Sequence, residues 1–328
     1  VAPMNKSLWC LLGLLLAAVT LPAQEGEATP EEPREFVVSF SPKELTLDPL
    51  HIYTTLESEL STAIYEGLVT YHPFTLEPVP GVAYSWKLSP DRTTWRFLLR
   101  EDARFSNGDP VRADDFRDSW LRVLDPEGGA EYSFLFDVIR GAREYRLGRS
   151  REVTGIRVAS DHELEVELET PASHFLKLLC HTTFVPLHSS YRQRRGWDAE
   201  DTLIGNGPFY LHARGPGELQ MRRNQLYWDA SRLELETLRV RFLEDEQEIS
   251  QGFNKGEIHW STDWDTELLQ DRTKIVFNPL FATSYFFFVC AQAPWSDSRV
   301  RRALALLVPW EQVRSEDTLL PTSRLIPP

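Results

Sequence analysis

The chain has 328 residues, and 49 acidic against 35 basic side chains give it a formal net charge of −14 at pH 7. That acidity, with no stripe of Lys or Arg along any segment, excludes a nucleic-acid-binding surface; the small cluster Arg192, Arg194 and Arg195 reads as a solvated loop. Beyond the N-terminus no stretch is long and apolar enough to cross a membrane.

Met4-Asn5-Lys6 is a short basic start, and Leu8 to Leu21 is an apolar run broken only by Gly13 and Thr20. The run is short for a bilayer span and small residues follow it, so residues 1–24 are expected to form a secretory signal peptide cut near Ala23 or Gln24. An uncleaved anchor is the alternative. Cys10 lies inside the apolar run, badly placed for a lipidated first residue, so the exported protein is expected to be soluble and not a lipoprotein. Removal of residues 1–24, whose only charge is Lys6, leaves −15 and a length that suits two domains. Residues 25–35 are acidic and contain Pro, which predicts a disordered lead-in.

Glu35–Phe40 reads as the first strand, from its apolar and β-branched content. Apolar residues at 56, 60, 63, 64 and 68 predict a helix over Leu56–Leu68. Tyr84–Leu88 and Trp95–Leu99 form the clearest hairpin, joined by Ser89-Pro90-Asp91-Arg92. Asn107-Gly108 is a second turn, and Asp114–Leu124 a helix whose acidic first turn suits the helix dipole. Glu163–Glu169 alternates perfectly, predicting a strand with its glutamates on one wet face. Phe175–Cys180 reads as a short helix. Strands follow at Phe209–Leu211, Leu219–Arg222 and Leu238–Phe242, with helices at Asp245–Lys255 and Val300–Leu307. Tyr285–Val289 suits a buried strand. The mixture is α+β with antiparallel hairpins.

Catalytic chemistry is hard to find. His174, His181 and His188 recur every seven residues, but no carboxylate or Cys stands beside them at a zinc-like spacing, so surface or capping roles are expected. There is no Gly-x-Ser-x-Gly. Gly205-Asn206-Gly207-Pro208 lacks the Lys-Ser/Thr of a phosphate loop, and Pro208 removes an amide donor, which favours a tight turn. Neither a metal nor a cofactor is expected, and the chain does not read as an enzyme. Cys180 and Cys290 are either a disulfide pair or two small thiols. Of the ten tryptophans, Trp86, Trp95 and Trp120 sit at buried-phase positions; Trp260, Trp264 and Trp295 are open between structural packing and a recognition cleft.

The stretch GVAYSWKLSPDRTTWRFLLREDARFSNGDPVRADDFRDSW resembles the signature of the bacterial extracellular solute-binding proteins of the oligopeptide and dipeptide-binding family, family 5. Further blocks agree in order: LDPLHIYTTLESEL, YEGLVTY, DHELEVELETP, IGNGPFYL, QMRRNQLYWDA and PWSDSRVRRALAL. The resemblance implies a two-lobe, periplasmic-binding-protein-like fold with an extra inserted domain. Residues 36–65 and 188–283 would build lobe I, residues 66–187 the insert, and residues 284–328 the start of a lobe II that is mostly missing, as in a truncated chain.

It further implies a periplasmic protein, monomeric once folded, that holds an extended peptide between its lobes and delivers it to an inner-membrane ABC permease. Tyr53, Thr54 and Thr55 match the ligand-side loop of peptide binders, Asn206 and Gly207 a turn near the hinge, and Thr283, Ser284 and Tyr285 the strand entering lobe II. Each is a candidate ligand contact, with hinge packing as its alternative. A relative with another solute (metal chelate, murein peptide or oligosaccharide), a secreted peptide-binding scaffold or chaperone, and a non-functional remnant are the competing readings. Three departures from the family pattern carry structural expectations. Arg112 stands where a capping Thr is usual, so the cap must come from elsewhere. Arg92 replaces a turn Gly and favours a type I turn. Pro309-Trp310 should break the preceding helix.

Overall fold

The computed structural model describes residues 34–191, 203–276 and 287–313. The expected signal peptide, almost all of the lead-in, and Thr283, Ser284 and Tyr285 lie outside the described residues.

Strand β1 (Glu35–Phe40) is buried along nearly its whole length, because both of its faces are covered. Phe36, Val38 and Phe40 point into the main hydrophobic core, while Val37 packs on the other side with Ile249 and Ile258. The pairing partners of β1 are β10 (Thr237–Phe242) and β11 (Trp260–Ser261), both parallel to it. Strands β8 (Phe209–Gly215) and β9 (Glu218–Arg223) complete an antiparallel flank, giving a five-stranded sheet in the order β11-β1-β10-β9-β8. Ile249 lies on helix α5 (Glu246–Lys255), whose first turn is capped by the Asp245 carboxylate, accepting from Gln247 N at 2.8 Å.

Helix α1 (Thr55–Ile64) stops four residues short of the expected Leu68. The reason lies far along the chain: Gly207 N donates to the Ile64 carbonyl at 2.8 Å, and Tyr65 turns extended. Leu68 still reaches the core, beside a short β-ribbon of β2 (Val69–Tyr71) and β3 (Pro78–Pro80).

The expected hairpin forms β4 (Ala83–Leu88) and β5 (Thr94–Leu99), in the register Lys87↔Arg96 and Leu88↔Trp95. With β6 (Ile156–Ser160) and β7 (Glu163–Glu167) it builds a four-stranded antiparallel sheet in the order β4-β5-β7-β6. Phe97, Leu99, Ile156, Leu164 and Val166 face the core. One expectation for β7 needs correction. Its glutamate face is not uniformly wet, for Glu165 is only 8% exposed. Cross-strand neighbours explain this: Arg96 of β5 and Arg157 of β6 both ion-pair with its carboxylate. The alternation identified the strand correctly, but the charge of the flanking strands decided how much water reached this residue.

Helix α2 (Ala113–Val123) lays Phe116 and Trp120 against this sheet's core. The Trp120 indole N–H donates to the Phe184 carbonyl at 2.9 Å, and the Phe136 and Phe184 rings stack at 4.0 Å. Its cap does come from elsewhere: Asp115 Oδ2 accepts from Arg112 N at 2.8 Å, and the Asp161 carbonyl accepts from Ala113 N. Two short helices, α3 (Ala142–Arg146) and α4 (Phe175–Leu179), fill out the same core. One hydrophobic cluster runs unbroken from Phe36 through Trp120 and Phe184 to Val240, under both sheets. The α+β class expected from the sequence is therefore the observed one.

Residues from Thr273 onward form a separate unit. Its helix α6 (Ser298–Leu307) is capped by Asp297, whose Oδ1 accepts from Arg299 N at 2.8 Å. The helix ends before Pro309, as expected, and α7 (Trp310–Val313) follows. The strand expected at Tyr285–Val289 is not found where it is described. Phe287 is 76% exposed, and Phe287, Phe288 and Val289 lie outside the described strands. Cys180 and Cys290 are free thiols, the first half-buried and the second exposed.

In the hairpin turn, Arg92 N donates to the Ser89 carbonyl at 2.9 Å, as in a type I turn, and Arg92 itself has φ +60°. A side chain at that φ costs about 1–2 kcal/mol relative to Gly. Part of this is offset by the greater freedom of Gly in the unfolded chain. Arg92→Gly is expected to stabilise the protein by about 1 kcal/mol, read as a higher urea midpoint at unchanged slope.

Candidate functional site

The loop before α1 is built around one carboxylate. Glu57 Oε1 accepts from Thr46 N at 3.0 Å, and Oε2 accepts from Thr54 N at 3.1 Å and the Thr54 hydroxyl at 2.8 Å. In return Thr54 Oγ1 accepts from Glu57 N at 3.3 Å, a reciprocal capping box. Burial alone would raise the Glu57 carboxyl, but the donors from Thr46, Thr54 and Tyr53 outweigh it and hold it below the usual carboxylate range. His51 Nδ1 lies 3.4 Å from Glu131 Oε2. Of the three candidates here, Thr54 spends its hydroxyl on the cap. Tyr53, at 65% exposed, and the exposed Thr55 present their side chains to solvent.

Asn206 and Gly207 sit at the opposite end of α1, about 15 Å away along a ten-residue helix, so the fold does not gather the two clusters into one cluster. Asn206 is 2% exposed. Its Oδ1 accepts from Glu66 N at 3.1 Å and its Nδ2 donates to the Glu66 carbonyl at 2.9 Å, so one amide satisfies both backbone groups of a residue 140 positions earlier. The flanking glycines are steric necessities. A Cβ on Gly207 would lie 2.5 Å from the Ile64 carbonyl carbon, and one on Gly205 only 2.1 Å from the Ile64 oxygen. Asn224 holds the turn from the other side, its Nδ2 donating to the Gly207 carbonyl at 3.0 Å.

This clamp belongs to a larger polar node that the sequence reading did not single out. The Glu66 side chain, in a residue only 4% exposed, accepts from the Tyr227 hydroxyl at 2.6 Å and the Trp228 indole N–H at 2.7 Å. The Arg100 guanidinium lies 3.6 Å from the centroid of the Trp228 ring, and its Nε donates to the Gly81 carbonyl at 2.9 Å. Burial pushes the Glu66 carboxyl up to about 7, against the downward pull of the Tyr227 and Trp228 donors and of Arg100; Asp229 adds to the rise. The available signal was pairwise: YEGLVTY and QMRRNQLYWDA supply the two halves of the node.

Four histidines have structural roles as acceptors. Nδ1 of His72, His181, His188 and His259 each accepts a backbone N–H, from Phe74, Thr183, Ser190 and Val37 respectively. Among the described residues no group of three or more His, Cys, Asp or Glu is placed to hold a metal. Trp260 packs on Phe40, Trp264 edge-on to Phe253, and Trp295 on Phe288. Two shallow hollows of about 450 and 440 Å³ lie on the four-stranded sheet, sharing Leu98 and Glu163, and none of the candidate residues lines them.

Asn206→Ala would strand Glu66 N and O in a buried setting, at about 1–3 kcal/mol per group. The substitution is expected to cost about 3 kcal/mol of unfolding free energy in urea titration, far more than Thr55→Ala at the exposed end of the helix.

Residues 77–316 match the bacterial extracellular solute-binding proteins, family 5. The chain is 32% identical over 246 residues to the dipeptide-binding protein DppE of Bacillus subtilis, covering 72% of this chain and 45% of that one. It is 31% identical over 274 residues to the periplasmic oligopeptide-binding protein OppA of Escherichia coli, covering 80% and 50%. The solved structure of the E. coli murein tripeptide binding protein MppA superposes with a TM-score of 0.80 at 27% identity, over 90% of this chain and 60% of that one. The chain thus spans about half the length of the curated relatives it matches. The ordered sequence blocks, the mixed sheets and the Asn206–Glu66 clamp accordingly belong to a member of family 5 of the bacterial extracellular solute-binding proteins.

Proposed function

We propose that this protein is the substrate-binding component of a peptide ABC importer, capturing extended di- and oligopeptides and handing them to an inner-membrane permease. The observation that carries this reading is the family match together with relatives named for dipeptide and oligopeptide binding. In this reading the chain is exported through an N-terminal signal peptide, works in the periplasm and carries out no catalysis. Residues 36–65 and 188–283 form lobe I, residues 66–187 the inserted domain, and residues 284–328 enter lobe II.

The ligand-side surface is the loop Tyr53–Thr55. Its backbone is fixed by Glu57 before any ligand arrives, so little ordering entropy is lost on binding, and Tyr53 offers a rigid aromatic face at low entropic cost. Thr283, Ser284 and Tyr285 are further candidate ligand contacts in this reading. Asn206 and Gly207 act through the frame, setting where α1 ends. An extended peptide would gain affinity through main-chain hydrogen bonds and leave its side chains loosely specified. A relative that takes a murein peptide is the second reading, favoured by the close superposition on the murein tripeptide binder.

Isothermal titration of the protein with mixed di- to pentapeptides tests the proposal. Saturable heat is expected, with Kd no weaker than about 1 mM, or roughly −4 kcal/mol. Tyr53→Ala is expected to weaken the binding. No heat with any peptide at millimolar concentration would sink peptide capture by this chain, and heat with murein tripeptide alone would select the second reading.

A further inference from the structure

The Glu66 node joins four stretches of chain: the segment leaving α1, the end of β5 at Arg100, the Asn206–Gly207 turn and the Tyr227–Asp229 turn. We propose that Glu66 is a proton-responsive positioning residue, which holds the Asn206–Gly207 turn firmly while its carboxyl is protonated and loosens it on ionising. The consequence for ligand binding rests on the reading of that turn as part of the cleft frame; the switch itself does not.

The donors around the carboxyl make both protonation states possible and unequal. The Trp228 indole can only donate, so its partner Oε2 must remain an acceptor. The Tyr227 hydroxyl can either donate or accept. A proton on Oε1 therefore finds an acceptor in Tyr227 at 2.6 Å once the hydroxyl turns and sends its own hydrogen elsewhere. The ionised form keeps its two donors but leaves an anion in a nearly closed site.

The charged groups facing it do not neutralise it by contact. Arg100 lies over the Trp228 ring and donates its Nε to Gly81, and Asp229, also buried, is a second anion whose own ion-pair partner is Arg232 at 3.4 Å. No charge comes from the segment around Gly81 or from the Gly205–Gly207 turn. The same residue's backbone carries the Asn206 clamp, so strain at the carboxyl is passed directly to that turn.

The sign of the pH response follows. The carboxyl sits at about 7 in the folded node against 4.5 in an open one, so the closed node binds the extra proton. Its stabilisation is complete below pH 4.5, is lost progressively as pH rises to about 7, and is level above that.

Amide hydrogen exchange on the full chain without ligand reads this at two reporters, Glu66 N, bonded to Asn206, and Gly207 N, bonded to the Ile64 carbonyl. Corrected for intrinsic exchange, their protection should fall by one to two orders of magnitude between about pH 5 and pH 7 and then level off. Glu66→Gln retains a donor and an acceptor at the site and should show flat protection. A flat profile in the wild type, or an equal slope in Glu66→Gln, would overturn the proposal. Should Glu66→Gln not fold, the ¹³C titration of the wild-type Glu66 carboxyl decides: a midpoint near neutrality supports it, and one in the ordinary carboxylate range overturns it. Because no peptide is present, failure here leaves peptide capture standing, and absence of peptide binding leaves the switch standing.

Discussion

The structure depends on one planar side chain filling one gap. At the end of α1 the backbone must leave the helix and enter the β-ribbon, and the N–H and C=O of Glu66 are buried as it does so. No neighbouring strand takes them. The Asn206 carboxamide, with a donor and an acceptor side by side, matches the pair. Its position is set by glycines that let the 205–207 backbone press against Ile64. The stretch 203–207 enters β8, and Glu66 leads into the segment that carries the four-stranded sheet. The contact therefore fixes how two sheets of different chain origin share one core.

Around that contact the energetics are ordinary. The five-stranded sheet buries both faces of β1, and the four-stranded sheet buries one face against α2 and an aromatic group of Phe116, Trp120, Phe136 and Phe184. The buried indole of Trp120 has its donor satisfied at Phe184, which turns a large apolar contribution into a directional one. The outer face of the same sheet is governed by charge, with Glu165 drawn out of water by two arginines.

What the sequence makes legible is what is local. Alternation located β4, β5 and β7, the 3.6-residue period located α2 and α5, and Pro309 located the end of α6, because each signal acts within a few residues of its effect. The expected extension of α1 to Leu68 failed for the opposite reason: the residues that end it stand 140 positions away. The burial of Glu165 was hidden likewise, since it depends on which strands flank β7. At the candidate site the motifs named loops at the two ends of α1. They did not separate Tyr53 and Thr55, which face solvent, from Asn206, whose amide is already spent. Glu66 itself lay inside a recognised block but offered no sign of burial, since a lone Glu in a sequence reads as surface.

Four histidines serve this fold as acceptors, at residues 72, 181, 188 and 259, each through Nδ1 and each for a backbone N–H. An imidazole can accept there only in its neutral form. Three of these bonds shape local turns, and the fourth, from Val37 to His259, stitches β1 to the chain just before β11. Acidification thus acts on the architecture in two opposed ways. Burial holds His181 and His259 below the ordinary imidazole range, and acid strong enough to protonate them would break their two bonds, while it supplies the proton that tightens the interior around Glu66. A compartment whose acidity varies would find these two bonds growing looser as the node around Glu66 grows firmer.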